Sequence, residues 1–127
     1  TDFVAKTEDF INLNKDLAMH IAASAPISVK REDISSDLLD REKDIYAEQA
    51  RRTGKTDTII NKMIDGRINK FYQENVLLEQ AFVKDPDKTV QDIITDTIAK
   101  LGENIVVSRF VRFQLGEQTY NSSPSDN

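Results

Sequence analysis

The residue types in this 127-residue chain limit the chemistry it could perform. His20 is the only histidine and there is no cysteine, so a Cys-His pair, a multi-histidine metal site and a disulfide framework are all excluded, and no Ser-His-Asp constellation stands out. Asp and Glu are numerous, but their spacing follows solvated helix faces and no pair reads as a catalytic acid and base. The run Thr53-Gly54-Lys55-Thr56 matches the end of a phosphate-binding loop. That motif needs a glycine at position 49, where Gln49 stands, and a buried strand in front of it, where a charged helix is expected. Asn121-Ser122-Ser123 fits a glycosylation sequon, yet without a secretory context it reads as part of a polar tail. Catalytic residues, a metal site and a cofactor are therefore not expected, and a lone helical histidine such as His20 reads first as a packing or surface residue.

Seventeen Lys and Arg against 22 Asp and Glu leave a net charge of −5, which argues against a phosphate backbone or an anionic membrane as the main partner. Another protein is the expected partner. With 39% hydrophobic residues the chain can build one modest core. No stretch approaches the roughly 18 apolar residues of a membrane span, and the N-terminus lacks a basic segment followed by an apolar run. The first residue is Thr1 and not Met, within what reads as a continuing extended segment, so preceding sequence is expected to be missing.

The elements that must carry any binding residues follow from periodicity. Thr7 suits an N-cap, after which Phe10, Leu13, Leu17 and Ile21 recur at helical spacing until Pro26. Ile27 to Val29 is extended or loop. Ser35 or Ser36 caps a second helix with Leu38, Leu39, Ile45, Tyr46 and Ala50 on its apolar side, ending at Gly54. Thr56 or Asp57 caps a third, with Ile60, Met63, Ile64, Ile68, Phe71 and Tyr72 inward. Narrow apolar stripes and dense outer charge suit an antiparallel coiled-coil hairpin protruding at about residues 36–73. Ala81 to Lys84 reads as a short strand and Asp85-Pro86-Asp87 as a turn. Thr89 caps a helix with Val90, Ile94, Ile98 and Leu101 buried, and Gly102 stands at its C-terminus. From Ile105 the period becomes two, with Val107, Val111, Phe113 and Leu115 on the same face, the strongest strand pattern in the chain. Residues 118–127 are polar and aperiodic and are expected to be disordered. The expected fold is α+β, an antiparallel sheet with packed helices and the helical arm, in one domain over residues 1–117.

Four segments stand out in order along the chain. They are Thr1-Asp2-Phe3-Val4-Ala5 with the later Ala18-Met19-His20-Ile21-Ala22-Ala23, then Lys62-Met63-Ile64-Asp65-Gly66-Arg67, then Leu77-Leu78-Glu79-Gln80-Ala81-Phe82-Val83-Lys84-Asp85. The fourth is Lys100-Leu101-Gly102-Glu103-Asn104-Ile105, running into Arg109-Phe110-Val111-Arg112-Phe113. Together, in this order, they resemble the elongation factor Ts family. Ala81 replaces a usual proline, Ser108 a frequent arginine, and Thr56 the proline that commonly opens the third helix. One helix joins the first segment to the later core, as in the short forms of the family.

What the resemblance implies is a guanine nucleotide exchange factor for elongation factor Tu, at work in the bacterial cytoplasm or the equivalent organellar compartment. It implies an Asp-Phe wedge, here Asp2 and Phe3, whose ring enters the partner's GTPase domain beside its magnesium. It also implies that Leu101 and Gly102 join that contact and that His20, Val83 and Lys84 meet the partner's other domains. By itself burial favours Phe3 in its own core, while Gly102 also reads as the helix cap and Val83 reads equally as an inward strand residue. The family normally carries an N-terminal module resembling a ubiquitin-associated domain, which is expected to be absent here. An unpaired sheet edge left by missing strands would favour a homodimer. The alternatives are a scaffold domain of the same fold without exchange activity, and a hydrolase built on carboxylates.

Overall fold

The computed structural model describes residues 2–101, with side chains described over 8–100. The expected strand from Ile105, Gly102 and the tail 118–127 lie outside these residues. Helix α1 spans Asp2–Ser24, α2 Ser36–Arg51, α3 Asp57–Asn75 and α4 Val90–Leu101; strands β1, Ala81–Phe82, and β2, Asp85–Thr89, pair antiparallel. The fold is thus α+β, mostly helical with a small two-stranded sheet. Two units separate by packing, residues 2–25 with 81–101 and residues 26–80.

In the first unit, Leu13, Leu17 and Ile21 form the inward stripe of α1 and pack with Phe82, Val90 and Ile94, all buried. Each such side chain taken from water contributes roughly 2 kcal/mol. Phe10 and Ile98 are half-buried at the ends of their stripes. Helix α1 does not start at Thr7: its backbone is helical from Asp2, so residues 2–6 are helical and not extended as the sequence suggests. No glycine or proline interrupts residues 1–24, so a good capping residue at position 7 has nothing to stop the helix ahead of it. The helix ends with Ala25 in the left-handed region, φ 44°, its N–H donating to the Ile21 carbonyl at 2.9 Å, and Pro26 follows.

The β1–β2 hairpin also differs from expectation. Val83 and Lys84 form the turn, and Asp85, Pro86 and Asp87 belong to β2. Phe82 pairs with Asp85 while its neighbour Ala81 pairs with Thr89, so three β2 residues intervene in the ladder. Pro86 offers no N–H, and neither turn residue has the positive φ that matches a tight hairpin to strand twist. Both features explain the broken register. Thr89 caps α4 as expected: its Oγ1 accepts from the Asp92 N–H at 3.2 Å, and Asp92 Oδ2 accepts from the Thr89 N–H at 3.0 Å.

In the second unit, α2 and α3 pack on one another across a short connection. Ser35 is the N-cap of α2, its Oγ accepting from the Leu38 N–H at 3.2 Å. Thr56 occupies the N-cap position of α3 without a side-chain bond. Gly54, at φ 69°, reverses the chain after α2, its N–H on the Arg51 carbonyl at 3.2 Å. The phosphate-loop lookalike is this turn. Ala50 and Ile68 are buried, but Ile45 is 45% exposed and does not belong to the inner stripe, which passes through Tyr46 and Ala47. Residues 27–29 run parallel to 75–78: the Ile27 N–H meets the Asn75 carbonyl at 2.9 Å and the Leu77 N–H meets the Ser28 carbonyl at 2.8 Å. Arg31 grips Glu79 through Nε, at 3.0 Å, and Nη2, and lies 4.2 Å over the Tyr72 ring.

Candidate protein-binding site

Helical spacing puts His20 three residues after Leu17, on the inward side of α1, and its side chain is fully buried. The imidazole stacks on the Phe82 ring, centroids 5.7 Å apart at 24°. Its Nδ1 accepts a hydrogen bond from the Val83 N–H at 3.2 Å. One turn earlier on α1, Asp16 holds Lys84 Nζ at 3.1 Å. The turn residues are therefore anchored from below, while the Val83 side chain is 39% exposed. Val83 is a turn residue facing outward and not an inward strand residue.

His20 and the turn of Val83 and Lys84, the first of which lies 63 residues after His20, are thus brought together at the C-terminal end of α1. Asp2 and Phe3 stand in the first turn of the same helix. At about 1.5 Å per residue, Asp2 is roughly 27 Å along the axis from His20. The two sets are not one site. Leu101 is the last residue of α4, and the preceding Lys100 reaches Asp9 at 3.4 Å, so α4 ends toward the N-terminal half of α1. Leu101 accordingly shares an end of this unit with Asp2 and Phe3. Gly102 lies outside the described residues.

Two participants escaped the sequence reading. Asp16 reads as one more solvated acid, although its position four residues before His20 puts it on the rim of the same face. Phe82 reads as part of a strand, and only the fold reveals its ring against His20. Among the described residues no group of His, Cys, Asp and Glu could hold a metal ion, and no helix is long and apolar enough to cross a membrane. What this surface offers is the apolar tip of Val83 on a turn tied to α1 from beneath, which suits docking to a protein.

A sequence model of the family described as Elongation factor TS matches residues 12–117. The chain is similar to the elongation factor Ts of Geotalea daltonii, 57% identical over 117 residues, covering 92% of this chain and 54% of that protein. It is 58% identical to that of Moorella thermoacetica over 117 residues, covering 92% and 58%. The elongation factor Ts of Maridesulfovibrio salexigens is 50% identical over 126 residues, covering 99% of this chain and 61% of its own. The chain spans about half the length of the curated relatives it matches.

Proposed function

Because this chain belongs to the elongation factor Ts family, we propose that it acts in translation elongation by binding elongation factor Tu and promoting GDP release. The single observation that carries the reading is the family match across residues 12–117, with more than half the residues identical to curated elongation factors Ts. Exchange of this kind needs no chemical step. A protein loosens GDP by binding the nucleotide-free partner more tightly than the GDP-bound one, and the coupling is reciprocal.

In this reading Asp2 and Phe3 are the wedge. The phenylalanine ring supplies a large rigid apolar area at low entropic cost, and magnesium, which demands near-octahedral geometry, is sensitive to small shifts around it. Leu101 and Gly102 complete that contact, and the Val83-Lys84 turn meets the partner at a second point. The α2–α3 pair is the projecting arm, reaching either the partner or the translation machinery.

Phe3→Ala tests the wedge. It is expected to slow GDP release by more than tenfold, the effect of losing an interface anchor of about 2 kcal/mol, with little change in the melting temperature of the chain. A variant that melts much earlier while its folded fraction exchanges normally places Phe3 in the chain's own core and removes the wedge.

A further inference from the structure

His20 is fully buried, so a role in direct contact with a partner conflicts with its surroundings. The geometry points instead to His20 as a positioning residue: by accepting the Val83 N–H it holds the Val83-Lys84 turn in the shape that meets the partner. This rests on the proposed contact of that turn with elongation factor Tu.

A two-residue hairpin is ordinarily fixed by its turn type and by the ladder beneath it. Here both supports are weak. The turn has no glycine and no positive φ, and β1 contributes only two residues, with three β2 residues looped between their partners. The turn must be held from elsewhere, and three contacts from α1 do so. Nδ1 of His20 takes the Val83 amide, the imidazole stacks on Phe82 immediately before the turn, and Asp16 takes the Lys84 ammonium. With the amide and the cation secured, the Val83 side chain is left outward, which is what an interface residue requires. Acceptance at Nδ1 uses that nitrogen's lone pair, so the proton of the neutral ring sits on Nε2.

The test starts from two substitutions of His20. His20→Asn keeps an acceptor the same number of bonds from the backbone, and His20→Leu fills the space without one. Affinity for nucleotide-free elongation factor Tu is measured by calorimetry for both, for Val83→Ala, and for the His20→Leu, Val83→Ala double variant, with the Val83 amide followed by NMR in the free chain. His20→Leu is expected to weaken binding about fivefold, as for one lost hydrogen bond, and to move the Val83 amide, with His20→Asn restoring most of both. The double variant should be little weaker than either single one, because both act through the same turn. Additive losses, or weakened binding with the Val83 amide unmoved, would overturn the inference in favour of an independent contact. Unchanged affinity with only a lowered melting temperature would reduce His20 to core packing. GDP release by the unaltered chain is run in parallel: binding without release defeats the functional reading and leaves the cycle to decide the positioning, whereas an absence of binding overturns both.

Discussion

Thr89→Ala should destabilise the chain by about 1 kcal/mol, as expected for loss of an N-cap oxygen. The substitution leaves the Asp92 N–H without its partner at 3.2 Å, one of the donors that the first turn of α4 cannot satisfy internally. The complementary Asp92→Ala removes the acceptor that holds the Thr89 N–H at 3.0 Å, together with a negative charge in the first turn of the helix. That charge adds roughly 0.3–1 kcal/mol at low salt to a similar capping loss. Lys88 adds a further tie to α4 through Asp96 at 2.9 Å, but this exposed pair contributes little. Each of the two bonds joins one side chain to the other residue's backbone, so neither substitution removes the other's bond and the double variant should lose roughly 2–3 kcal/mol, close to the sum. Urea unfolding followed by far-UV circular dichroism gives the three values, with an unchanged m-value marking a stability effect alone. A neutral Thr89→Ala, or a double variant no worse than either single one, would refute the capping-box argument.

Ala25→Gly should stabilise the chain by about 0.5–1 kcal/mol, since a left-handed alanine costs more than the entropy that glycine adds to the unfolded chain, and thermal melting reads it. Burial, then its hydrogen bond with Glu42, pushes the Tyr46 phenol up from the ordinary 10.0, with Arg67 over its ring opposing. The fold favours the neutral phenol, so this contribution to stability is complete below pH 10 and lost as pH rises through the folded value. A phenolate absorbance titration should show a component above pH 10 that disappears in Tyr46→Phe; loss in that variant of a component at or below 10 instead would contradict the assignment.

Helices α2, α3 and α4 were legible because their apolar residues recur at helical spacing between recognisable caps: Ser35, Gly54 and Thr89 stand where the sequence puts them. Two misreadings have the same origin, the treatment of local preference as decisive. Thr7 has the chemistry of a cap, but capping matters only where a helix must begin, and residues 2–6 continue it without interruption. Asp85-Pro86-Asp87 has turn composition, yet it lies in a strand whose irregular pairing tolerates a proline. The site was legible only as a resemblance. Local periodicity carries no information on the His20–Val83 bond, which spans 63 residues, and the pairing of Asp16 with Lys84 needs the fold to bring two ordinary surface charges together.

The central proposal, that this chain promotes nucleotide exchange, is tested most directly by the rate of labelled GDP release from elongation factor Tu across a titration of the chain. The rate should rise with chain concentration to a plateau well above spontaneous release. Saturating binding with release still at the spontaneous rate would contradict it.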